Sequence, residues 1–406
     1  MRRFSPDTLS LMEFKSRREM EIAAKIYDNH PLLGEEVAGA WNVRFTTEFH
    51  MTNDSRLFRD RAWLLAHGCR EAYLTGEPVD PARRERRPTM WLGPDGERYL
   101  PLYEGKMVHQ FDHAFEEPRY WVAEREGNDA LAASSAEWDW RAYRGGFRDI
   151  ARGTDERSLI AAITPPTFRG NVLPTIGPTS LPASVQLLLC AVFNSFVLDY
   201  LIRTKVTMHL NFHYLSGLPL PRLTTGHHHF DALVLRAARL TCTTPEFADL
   251  WNGVARHYPQ EMPAHWRPEY AAADPLERAC LRAEIDALVA DLYGLSEEDF
   301  AYILTTFPLL DRDQPALEGE PKSFITRDQA LLALFELRRK RPPQDIVAFF
   351  ARAGADIAPI TGPLRDLEER VLQAWELGAV AYIPSRRGGE RGSEVAAEQE
   401  MLLEEE

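Results

Sequence analysis

Two stretches in the middle of the chain interleave cationic and amide side chains with aromatic rings. Pro101 to His113, PLYEGKMVHQFDH, sets Lys106, His109 and Gln110 beside Tyr103 and Phe111. Arg141 to Arg157, RAYRGGFRDIARGTDER, sets Arg141, Arg144, Arg148, Arg152 and Arg157 around Tyr143 and Phe147. Guanidinium and ammonium groups clamp phosphates or read guanine edges, and Asn or Gln amides pair with adenine, so these are the residue types of a nucleic-acid surface. For any single arginine the competing reading is an ordinary solvated, ion-paired side chain.

The histidines raise metal binding next. His209 and His213 would share one face of a helix with the spacing of a zinc pair. The alternation of Val206, Met208, Leu210, Phe212 and Tyr214 with Lys205, Thr207, His209, Asn211 and His213 argues instead for a half-buried strand. On that strand His209, Asn211 and His213 form a polar row suited to hydrogen-bonding a partner. His227 to His229 follow a proline-containing turn and read as a solvated loop, so no metal site is expected. The chain has no GxSxG elbow, HExxH motif or Walker loop. It also has no Gly-rich turn after a strand for S-adenosylmethionine and no Asp- or Asn-Pro-Pro-aromatic motif for a flipped adenine. The double prolines in TPPTF (Thr164 to Phe168) and RPPQD (Arg341 to Asp345) are not followed directly by an aromatic.

The elements that must position these residues fall into stretches of different texture. Residues 1–95 read as mixed α/β, with helical material from Leu9 to Tyr27, partial alternation in WNVRFTTEFHMTND and a basic turn, PARRERRPTM. Residues 96–225 carry the aromatic and basic strings, and within them Val185 to Arg203 reads as a buried helix delivering the chain into the strand. Residues 226–390 read as mostly helical. Asp274, Pro275 and Glu277 open a helix that Gly294 stops at Tyr293, and Ser296 with Asp299 and Thr326 with Gln329 repeat capping-box spacing. Residues 391–406 read as a disordered acidic tail. The expected fold class is therefore α/β mixed (α+β), followed by a mostly α-helical C-terminal domain.

With 45% hydrophobic and 27% charged residues, the chain is long enough for two or three cores. Its four cysteines are far apart in no CxxC pairing, which fits neither a disulfide framework nor a zinc knuckle and suggests a reducing cytoplasm. The N-terminal MRRFSPDTLS has no apolar core of a secretory signal, and the apolar run Val185 to Leu198 is shorter than the roughly 20 residues a membrane span needs. A soluble protein without membrane contact is expected. The net charge of -14 opposes phosphate binding, but residues 1–230 sum to -1 and the remainder carries -13. The first half can therefore display a basic face.

Several strings together resemble the region downstream of the catalytic domain in type IIG-like restriction-modification and phage-defence adenine-specific DNA methyltransferases. They are RRFSPDTLSLMEF, EFHMTNDSRLF, LPLYEGKMVHQFDH, FRDIARGTDERSLIAAITPP, FNSFVLDYLIRTKV, LPLPR, EIDALVADLYGL and FPLLDRDQP, in that order. The greatest weight falls on YEGKMVHQFD and on the Asn194–Ser195 to LPLP segment. The resemblance implies a target-recognition domain over residues 96–225 that binds double-stranded DNA and acts with a methyltransferase catalytic domain or subunit. It implies that Lys106, His109, Gln110, Arg148, Arg152, Lys205, His209 and Asn211 fall in segments facing DNA. No cofactor is expected on this chain; S-adenosylmethionine belongs to the catalytic partner, and independent enzymatic activity is in doubt. The competing expectations are a folded remnant of a truncated methyltransferase and a stand-alone nuclease with scattered carboxylates.

Overall fold

A computed structural model describes residues 14, 16–28, 30–133, 140–151, 156–178, 180–206, 209–307, 309–311, 317, 325–354 and 366–376. The chain divides into two compact units, 1–271 and 272–406. The stretches expected at 1–95 and 96–225 therefore lie within one unit. The mixed α/β content followed by helices matches the expected fold class.

Among its described residues the first unit has ten short strands: β1 (Arg44–Thr46), β2 (Phe58–Arg59), β3 (Arg70–Tyr73), β4 (Thr89–Leu92), β5 (Arg98–Tyr103), β6 (Trp121–Ala123), β7 (Arg144–Phe147), β8 (Ala161–Thr164), β9 (Phe168–Arg169) and β10 (Thr175–Gly177). One sheet runs β1-β10-β7-β8 and is antiparallel throughout. The other runs β2-β6-β5-β4-β3, with Leu100 opposite Val122 and Trp91 opposite Tyr99. The end of β5 also takes β9 as a parallel neighbour, with Leu102 opposite Phe168. Gly96 holds a left-handed φ of 84° in the tight turn joining β4 to β5, a conformation that needs no Cβ. Leu100, Leu102, Val122, Met90 and Phe168 fill one core between the strands.

The apolar run after the sheets folds as two helices. Ala183–Phe193 is buried along nearly its whole length and packs on β7, β8 and the helix His228–Thr241. It bends by 62° into Phe196–Arg203. The single helix expected over Val185 to Arg203 is thus broken at Asn194, and the break has a visible cause. The Asn194 amide accepts from Ala161 N at 3.0 Å and donates to Ala161 O at 2.8 Å, pairing with the edge of β8 as a strand would. Ser195 then caps the next helix through Leu198 N. Among the described residues no single helix is long and apolar enough to cross a membrane; only this bent pair passes that test, and its side chains are buried in the protein.

The strand expected over residues 205–214 is not formed by its described part. Asn211 accepts from His213 N and Tyr214 N and starts the short helix Phe212–Ser216. Val206 and Leu210 are buried, whereas Phe212 stacks on Phe45 at 5.5 Å. The apolar residues thus serve separate neighbours, and local capping at Asn211 overrides the period-two pattern. His227 stands at the N-cap position, without a side-chain capping bond, and His228 and His229 open the helix His228–Thr241, which corrects the reading of the His triplet as a loop.

The second unit keeps its caps as read. Asp274 accepts from Glu277 N and opens Pro275–Leu292, and Ser296 and Asp299 form a reciprocal box before Glu297–Thr305. The Thr326 signal is displaced: Thr326 lies inside Ile325–Leu337, and its N–H and hydroxyl donate to the Asp311 carboxylate. The acidic tail, 391–406, lies outside the described residues.

Candidate nucleic-acid interface

Beyond β5 the chain makes a tight turn, Gly105–Met107, against the segment that links β9 to β10. A Cβ at Gly105 would stand 2.7 Å from the Val172 carbonyl oxygen, so only glycine lets the two backbones approach this closely. Gly105 and Met107 are buried, and Lys106 between them is exposed with no ion pair among the described residues. The loop is then held by its own hydrogen bonds. His109 and Asp112 exchange both backbone bonds at 2.8 and 3.0 Å, Ala114 N donates to Asp112 Oδ1, and Phe115 N donates to Met107 O at 2.9 Å. Phe111 adopts a left-handed φ of 58°, its N–H donates to Ala161 O and its ring is buried.

This loop presents Phe115, which is 44% exposed. His109 stacks against the ring at 4.8 Å. The Arg148 and Arg86 guanidinium carbons lie 5.5 and 5.8 Å from its centroid, within cation–π range. Arg148 Nε donates to Val108 O at 2.8 Å, and burial lowers the pKa of this guanidinium. Arg86 donates to Ala114 O and to Asp112 Oδ2 at 2.5 Å. Past Arg148, Asp149 pairs with His209 Nδ1 at 3.0 Å, Asp149 O accepts from Leu210 N, and Ile150 is 60% exposed while bridging to His209.

Lys106, His109, Arg148 and His209 are thus brought to one surface. Gln110 is turned away: its Nε2 donates to Asn194 O at 3.0 Å and ties the loop to the helix break. Lys205 is half-buried with Nζ donating to Tyr27 OH at 2.8 Å, and burial lowers its pKa to about 8. Asn211 is exposed, and its side-chain oxygen is committed to capping. Arg152 lies outside the described residues. The other arginines of that string divide. Arg141 is exposed over Trp140, whereas Arg144 and Arg157 are buried against Glu48 and Asp199, where the burial of charge is offset by carboxylates.

Sequence reasoning did not single out Arg86, Phe115 or Ile150. Arg86 lies in the basic turn PARRERRPTM, a usable signal, but nothing in one sequence marks a phenyl ring as exposed. Within the same turn Arg84 pairs with Glu71 and Glu117, and Arg87 with Glu77, Glu85 and Glu246, so the basic run is mostly neutralised. A cleft of about 220 Å³ behind the loop is lined by Arg84, Arg86, Arg87, Tyr103, Met107 and His113, with equal numbers of arginines and glutamates in its full lining. Among the described residues no group of three His, Cys, Asp or Glu side chains is placed to hold a metal ion.

The fold and this surface define a mixed α/β unit with an aromatic-bearing loop flanked by Arg86 and Arg148 from neighbouring segments. No protein-family model and no curated protein sequence matches the chain.

Proposed function

We propose that the chain is the target-recognition part of an adenine-specific DNA methyltransferase, acting on double-stranded DNA beside a separate catalytic domain that binds S-adenosylmethionine. The reading is supported by the sequence strings that resemble such enzymes. The observation that carries it is Phe115 with Arg86, Arg148 and His109 around its ring and Lys106 exposed in the same loop. Cations beside an exposed ring suit a phosphate backbone and the bases next to it.

Duplex affinity measured over a salt series is expected to fall linearly on a log–log plot. Lys106→Ala is expected to reduce that slope by about 1, as one phosphate contact would. Co-expression with the catalytic domain then maps methylated adenines, and Lys106→Ala with Arg148→Ala is expected to erase the site-specific marks with folding intact. Affinity independent of salt counts against the reading and leaves a folded remnant. Plasmid cleavage by the chain alone with magnesium would favour a nuclease.

A further inference from the structure

We propose that Phe115 enters the DNA and stacks on a base at a disrupted step, with Ile150 beside it and Arg86, Arg148 and Lys106 on the flanking phosphates. This rests on the recognition reading above and deepens it from surface contact to insertion.

Five large apolar side chains are notably exposed among the described residues, and Phe115 and Ile150 are two of them. They are linked through Arg148, which lies over the Phe115 ring and precedes Ile150 by two residues. The backbone that carries the ring is tied down: the Phe115 N–H is bonded to Met107 O, and the His109–Asp112 pair and the Asp112 carboxylate hold the residues before it. A rigid apolar group held outside the core has little ordering entropy left to lose on binding.

The neighbours of the ring select the occupant. His109, Arg86 and Arg148 flank it with an imidazole and two guanidinium groups while it stays 44% exposed, and Lys106 lies in the same loop. A protein partner would call for a broader contiguous apolar patch. Isolated apolar wedges among cations are how proteins part base steps, and an aromatic ring with adjoining arginines stacks on any base. Of the carboxylates around the ring, Asp112 holds Arg86, Asp149 holds His209 and Glu117 pairs with Arg84, while Glu116, next to Phe115, is exposed.

The test compares a short perfect duplex with the same duplex carrying one abasic site, whose gap accepts a ring without unstacking. The 406-residue chain is expected to prefer the abasic duplex by about tenfold, the size of one base–aromatic stack. Phe115→Ala is expected to remove the preference, and Phe115→Trp to keep it, all with the same salt slope and thermal melts showing folded protein. Equal affinity for the two duplexes, or a preference that survives Phe115→Ala, overturns insertion and leaves the recognition reading standing. So does a Phe115→Ala variant that loses capture of the catalytic domain while keeping its DNA preference. Absence of any salt-dependent DNA binding overturns both.

Discussion

Arg169 is fully buried, yet all three of its guanidinium nitrogens donate. The acceptors are the Thr164 hydroxyl and the carbonyls of Trp140, Ala142, Pro165 and Thr167, so one side chain fixes the TPPT turn against the start of β7. Glu48 supplies the counter-charge to Arg169 and to the adjacent Arg144, and accepts from Arg169 N at 2.8 Å. Burial first, and then the neighbouring Arg169 charge, pull Arg144 down to about 8. Glu48→Gln leaves two buried guanidinium groups without a carboxylate and is expected to cost roughly 3–5 kcal/mol in urea unfolding. A loss below about 1 kcal/mol would show that the arginines are not held by this charge. Lys205 gives a pH signature. Its folded pKa of about 8 lies below the ordinary lysine value, so above pH 8 the unfolded chain binds the extra proton and stability rises with pH. Burial raises the pKa of Tyr27, which accepts from Lys205, so that residue lowers stability once pH passes its ordinary value near 10. Lys205→Met is expected to flatten the rise between pH 8 and 10 in thermal melts; an unchanged slope would place its source elsewhere.

At the level of elements, the loop after β5 is shaped by what it lies against. A Cβ at Gly105 would meet the Val172 carbonyl and the Arg148 backbone, while Gln110 and Phe111 reach the helix break and β8. Gly105→Ala is therefore expected to destabilise the fold by about 1–3 kcal/mol, because backbone rather than a flexible side chain must yield. It should also weaken DNA binding, since Lys106 and Phe115 move with the loop. Paired denaturation and binding measurements check both effects; weakened folding with unchanged affinity would detach the loop from recognition. Asn194 shows why a pattern of residues misleads at a helix break. An asparagine inside an apolar run reads as an interruption, but its amide completes the hydrogen bonding of the β8 edge, and this contact spans more than thirty residues of chain. The same holds for the described part of residues 205–214, where Asn211 caps a helix and Phe212 stacks on Phe45 instead of continuing a strand.

On the scale of the whole molecule, the chain divides into two compact units, and the strands and the proposed DNA surface belong to the first. Arg338 anchors the second unit by binding Asp291, Glu297 and the Leu295 carbonyl. Arg338→Ala is expected to lower hydrogen-exchange protection after residue 272 while leaving duplex affinity unchanged; a fall in affinity would tie the second unit to DNA. Charge distribution, helix caps such as Asp274 and Ser296, and the mixed α/β order followed by helices were legible in the sequence, because each depends on composition or on neighbours within one helical turn. Lys106, Arg148 and Gln110 could be nominated by residue type and Lys205 through the resemblance, but Gln110 and Lys205 are held by partners within the fold. The deciding contacts, Gln110 with Asn194 and Lys205 with Tyr27, join residues 84 and 178 positions apart. Side-chain chemistry and local periodicity are written along the chain. Exposure, as at Phe115, is settled only when distant segments pack around a side chain and leave part of it in solvent.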